Sequence, residues 1–219
     1  MEKGIARLAP LTGFLAVLLG IVALLLFWGW ADAPDSDAPA AEIAAWMTDD
    51  SWAIFIVGWL WMLAAASFLW FLGSLRVVLR RGEGGDARVT SIAYGAGLLL
   101  VAMLVLFIAP GVAGAAADEF DDRVISPELA DSLWVLGNMF FFAAEIFVGV
   151  LAVATAIVTL RSRVLPRWFG WLGLLWGVWM LILPIGWIGV IGIPIWILLT
   201  TFLVWRVESK AGAAAAAPA

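Results

Sequence analysis

Long apolar runs separated by short polar segments dominate the chain. Six can be marked: Leu8–Trp30, Ser51–Leu75, Val89–Ala116, Ser132–Leu160, Trp168–Leu183 and Gly186–Trp205. A helix needs about 20 apolar residues to cross the hydrocarbon core of a bilayer. Lipid offers no partner to backbone N–H and C=O groups, so runs of this kind are expected as helices. The two-residue alternation of a membrane barrel is not seen. The pattern predicts an all-α, polytopic membrane helix bundle with six transmembrane helices over residues 1–206, and an Ala-rich disordered tail at 207–219.

Local signals refine this picture. The first run has a basic start in Lys3 and Arg7, and Ala38-Pro39-Ala40 has the form of a cleavage site. Its apolar stretch exceeds the roughly 7–15 residues of a signal peptide, so a retained helix is expected. Ser126-Pro127-Glu128 reads as a helix start, with a capping hydroxyl, Pro in the first turn and an acid near the positive end. Gly82, Gly84 and Gly85 read as the end of the second span and a short turn. Ala41–Met47 has Ile43, Trp46 and Met47 on one face, which suits a short helix in the outer headgroup layer or an ordered loop. The last two runs are separated by only Pro184, Ile185 and Gly186 and read as two tight crossings; a re-entrant hairpin is the alternative.

Charge gives the runs a direction. Lys3, Arg7, Arg76, Arg80, Arg81, Arg88, Arg161, Arg163, Arg167, Arg206 and Lys210 fall on one side of the alternation, with Arg123 the exception. The opposite loops carry Asp32, Asp35, Asp37, Glu42, Asp49 and Asp50, then Asp118, Glu119, Asp121, Asp122, Glu128 and Asp131. By the positive-inside rule, both termini face the cytoplasm.

Composition narrows the chemistry. Hydrophobic residues make up 65% of the 219, charged residues 13%, and mean hydropathy is +1.07. A domain of this size cannot hide so much apolar surface from water. With no Cys and no His, disulfides, thiolate nucleophiles, the usual haem and zinc ligands and the commonest general base are excluded. Lys3 and Lys210 lie near the ends, so a retinal-type Schiff base within the bundle is excluded too. A net charge of −5 offers no basic surface to nucleic acid.

Within the spans, Glu145 is the one ionisable group well inside the apolar region. Asn138, Phe142, Gly149, Ala152, Ala156 and Thr159 share its helical face and should turn towards other helices. A membrane carboxyl is a functional candidate by default. With no Arg, Lys or His inside a span to pair with it, it must be protonated, wet or held by neutral donors. Ser67, Trp61, Trp176, Trp179 and Trp196 lie at matching depth. Glu145, Asn138 and Ser67 are thus the candidate intramembrane proton or substrate site, and a neutral Glu that ties helices together is the simpler reading. Pro194, after Gly189 and Gly192, marks a candidate helix break. Pro110 is a second, less specific one.

Other features have plainer readings. Ten of the 15 Trp fall near span ends, where the indole suits the headgroup boundary. Trp59, Trp61, Trp176, Trp179 and Trp196 lie deeper; an aromatic cage for a cationic or lipid ligand is the sharper alternative. Asp118–Asp122 lacks the spacing of a calcium loop and reads as solvated. Gly173-x-x-x-Gly177 is a small-residue packing motif that suits internal packing or a homo- or hetero-oligomer. No metal site, cofactor motif or catalytic set is found.

The segment Val164-Leu165-Pro166-Arg167-Trp168-Phe169-Gly170-Trp171-Leu172-Gly173, with the order of loops and spans, resembles bacterial six-span membrane proteins of unknown function. The resemblance implies topology and no activity. The expected protein is a multi-pass component of the bacterial cell membrane, in contact with lipid and not an enzyme. A small carrier or proton-coupled permease using Glu145 is the alternative.

Overall fold

A computed structural model of the chain describes residues 9–35, 37–49, 51–121, 125–182 and 187–214, without the side chains of 118, 121, 187–190 and 212–214. Every element among them is a helix. A 3-10 turn at Ala9–Leu11 leads into α1 (Thr12–Gly29), followed by α2 (Ala40–Asp49), α3 (Ser51–Glu83), α4 (Arg88–Asp121), α5 (Pro127–Ser162), α6 (Arg167–Ile182) and α7 (Trp187–Ala214). Five stretches are long and apolar enough to cross a membrane: Ala9–Gly29, Ser51–Glu83, Arg88–Ala117, Pro127–Ser162 and Ile191–Ala211. The fold is a multi-pass membrane helix bundle. Helix α6 is apolar, but its 16 residues span only about 24 Å.

The long helices outrun their apolar runs. Helix α3 continues through Arg76, Arg80 and Arg81 to Glu83, so Gly82 lies inside it rather than ending it. Gly84 and Gly85 take the positive φ values, +68° and +48°, that close the helix, and Gly84 N–H returns to the Arg80 carbonyl. Helix α5 starts where the Ser-Pro-Glu signal places it, with the Leu129 N–H donating to Ser126 Oγ at 3.3 Å. Helix α7 runs on through Glu208 and Lys210, so 207–214 continue the helix beyond the boundary expected at 206, while 215–219 lie outside the described residues. Lys3, Arg7, Asp122, Arg123 and the 183–186 link also lie outside them.

The chain forms two compact units. One comprises residues 18–65 and 102–143. Its core is Phe27, Ile43, Trp46, Met47, Ile54, Val57, Ile108 and Ile125. The short helix α2 corrects one expectation. Its apolar face is buried against protein rather than laid in headgroups: Ile43 is 1% exposed, Trp46 6% and Met47 0%. Trp46 donates its indole N–H to the Ala31 carbonyl. Gly111 and Gly114 leave the space that the Trp46 ring and Met47 Sδ occupy. In the same unit Ser51 donates to Glu119 Oε2 at 3.0 Å.

The other unit comprises residues 1–17, 66–101 and 144–219. Phe71, Leu72, Leu75, Leu79, Leu100, Leu151, Phe169 and Met180 are fully buried in it. Every described Arg and Lys falls in this unit, whereas the described loop acids Asp32, Asp35, Asp37, Asp49, Glu119 and Asp131 fall in the first. The α3–α4 turn is fastened by Glu83. Its carboxylate accepts from Val89 N–H at 2.9 Å, Thr90 N–H at 2.7 Å and the Thr90 hydroxyl at 2.6 Å. A carboxylate ending one helix thus caps the free N–H groups that open the next.

Candidate functional site

Glu145 sits on α5 and is 3% exposed. Its position follows from the ridge of small residues expected from the sequence. Gly149, Ala152, Ala156 and Thr159, on the same face, are buried too. Phe142, placed on that face by spacing, is instead 44% exposed. The ridge meets the α6 glycines. A Cβ on Gly177 would lie 2.9 Å from the Gly149 carbonyl oxygen, and one on Gly149 would lie 3.1 Å from that of Gly177. A Cβ on Gly173 would lie 3.7 Å from the Ala152 carbonyl oxygen. The Gly173-x-x-x-Gly177 motif is therefore used within the chain, by α5 against α6.

None of the donors expected for Glu145 hydrogen-bonds to it. Trp61 donates to the Leu104 carbonyl at 2.9 Å. Trp179 is 47% exposed. Ser67 is half-buried on α3. Glu145 Oε2 is buried with no hydrogen-bond partner among the described residues. Five more polar atoms of the same unit share that condition: the Thr155, Thr159 and Thr201 hydroxyls and the Trp176 and Trp196 indole nitrogens. The one ion pair among the described residues is Arg88–Asp86, on the surface. Of the three ways to accommodate Glu145, a proton and water remain, because the described side chains supply no neutral donor.

The deep tryptophans do not make a cage. Trp176 and Trp196 stack on each other with centroids 5.9 Å apart, and Trp196 stacks on Phe169 at 6.2 Å. Trp196 thus meets a ring on two sides, and the stack leaves no cluster of open ring faces converging on one point as a cation cage needs. Gly192 gives the Trp176 indole nitrogen its room, and Gly173 does so for that of Trp196. Trp59 is 66% exposed and turned outward. Pro194 is half-buried, and the helix runs unbroken through it.

Asn138 lies in the other unit and builds a different feature. Its amide donates to the Trp134 carbonyl at 3.1 Å, one turn back on α5. With Phe27, Trp46, Phe107, Pro110 and Trp134 it lines a cavity of about 20 Å³. Pro110 cannot donate to the Leu106 carbonyl, so α4 lacks one hydrogen bond beside this space. The Trp134 indole N–H is buried without a partner among the described residues. A mostly apolar space of this size, with an unpartnered N–H and a freed carbonyl beside it, has room for one water.

Two useful groups escape sequence reasoning. Trp134 reads as an interfacial Trp, and nothing in its spacing shows that its N–H is enclosed. Glu83 left a usable signal: an acid at a helix C-terminus opposes the helix dipole, which points to service for the following helix. No group of three His, Cys, Asp or Glu residues that could hold a metal occurs among the described residues. No protein family model, characterised protein or solved structure matches the chain.

Proposed function

We propose that this is a six-span protein of a bacterial cytoplasmic membrane, with both termini in the cytoplasm, that serves as a non-enzymatic membrane component. The observation that carries the reading is the close packing of the α5 ridge that bears Glu145. A Cβ on Gly149 or Gly177 would lie about 3 Å from the carbonyl oxygen of the other, so α5 and α6 meet closely there, and the cavity at Asn138 admits a water rather than a solute. The separation of charge supports the topology: the described basic residues gather in one compact unit, and Asp32, Asp35, Asp37, Asp49, Glu119 and Asp131 gather in the other. Helix α6, although short, is apolar from Trp168 to Ile182, which supports a sixth crossing. The protein works through lateral contacts with lipid and neighbouring membrane proteins.

A second reading is kept by one observation. Glu145 and five other unpartnered buried polar atoms lie in the same unit, which suits internal water and a small proton-coupled carrier. Proteoliposomes with an internal pH dye separate the two. Equal proton permeability in wild type and Glu145→Gln is expected for the membrane component; flux lost in Glu145→Gln would establish the carrier.

A further inference from the structure

A small cavity lies where α4 and α5 meet. Pro110 interrupts the hydrogen bonding of α4 there. Helix α5 comes up against that turn at Gly137, where a Cβ would lie 2.9 Å from the Phe107 carbonyl oxygen and 3.8 Å from the Pro110 ring. Trp134 and Asn138, on either side of Gly137 along α5, line the cavity of about 20 Å³ with Pro110.

The polar side chains on its wall are held in place. Phe27 stacks on the Trp134 indole with centroids 6.4 Å apart, and Trp46 meets it edge-on at 5.4 Å. The Trp134 N–H is buried without a partner among the described residues, and the two rings oppose its turning to find one. The Trp46 N–H is engaged by the Ala31 carbonyl. Asn138 gives its amide N–H to the Trp134 carbonyl, which leaves its Oδ1 to accept. The Leu106 carbonyl, which Pro110 cannot serve, is a second acceptor on this turn. One donor and two acceptors thus stand beside a space with room for one water. Water is the ligand this set selects, because it can accept from the indole and donate to both oxygens. A held water needs about two to four such partners.

We propose that the cavity holds one long-lived water, which accepts a hydrogen bond from Trp134 Nε1–H and donates to Asn138 Oδ1 and the Leu106 carbonyl. The water replaces for α4 the backbone bond that Pro110 removes, and it ties that turn to α5. The site is independent of Glu145 and of the role proposed above.

The test is nuclear magnetic resonance of the full-length protein in mild detergent, with isotope-labelled tryptophan, reading contact between indole N–H groups and water. W134F identifies the Trp134 signal by its loss. In wild type that signal should show a water peak with the sign of dipolar contact rather than of proton exchange. N138L, which removes one acceptor and keeps the side-chain bulk, should reduce the peak by about tenfold. W59F, which alters an outward-turned ring, should leave it unchanged. Absence of a water peak on the Trp134 signal, a peak to detergent acyl protons in its place, or an undiminished water peak in N138L would each overturn the proposal. Should either variant fail to fold, W134Y or N138V takes its place, and the same outcomes decide.

Discussion

Glu145 shows how one residue separates stability from purpose. A buried polar atom without a partner costs free energy, and an apolar group of the same shape avoids that cost. Glu145→Met should therefore raise the thermal midpoint of the purified protein, by the equivalent of about 1–2 kcal/mol. Glu145→Gln should fold as wild type does. A Met variant clearly less stable than wild type would show that Glu145 has a partner or water that holds helices together. Gly177 makes the complementary case. Its missing Cβ lets the Gly149 carbonyl approach, and Val153 and Ala152 close the remaining sides. Gly177→Val should destabilise by about 1–3 kcal/mol through overpacking, read as a lower melting temperature in detergent. An unchanged melting temperature would mean that α6 can move away from α5 at no cost.

At the level of elements, α2 is held by its buried face rather than by its ten residues, which are too few for an isolated helix in water. Trp46→Ala would remove both the ring and its N–H to the Ala31 carbonyl. The expected result is a loss of about 3–5 kcal/mol of local stability. Limited proteolysis should then cut within 31–50 faster than in wild type; equal cleavage would mean that lipid, not protein, holds α2. The same element shows the limit of sequence pattern. Ile43, Trp46 and Met47 were legible as one face, but a face that suits headgroups and one that suits protein are alike in hydropathy. The long helices were legible for the opposite reason, since only a helix satisfies their backbone in lipid. Their ends were less so: apolarity marks the stretch within hydrocarbon, whereas the hydrogen-bonded helix runs on through Arg80 and Arg81. The Glu145 ridge could be read from small residues at helical spacing. The fate of its expected donors could not, because depth along a helix does not say which way an indole N–H turns.

For the molecule as a whole, sidedness follows from where charge is affordable. Moving Arg or Asp to the centre of a bilayer costs about 2.5–3.5 kcal/mol per residue on the insertion scale, so charged loops stay on the side where they are made or exported. The described basic residues share one compact unit with the 84–87 and 163–166 turns and the end of α7, while the start of α5 shares the other with Asp32, Asp35, Asp37, Asp49, Glu119 and Asp131. An even number of crossings returns the chain to its starting side, and the short α6 decides whether that number includes a true fifth span. Because the chain has no native Cys, single substitutions report without background. With both termini inside, Cys at position 37 or 121 should react with an impermeant thiol reagent in intact cells. Cys at 84 or 163 should react only after the membrane is opened. A Cys at 185 distinguishes the crossing from the hairpin: it should react from outside if α6 spans, and from neither intact side if the link turns within the bilayer. Labelling of 84 or 163 in intact cells would invert the topology.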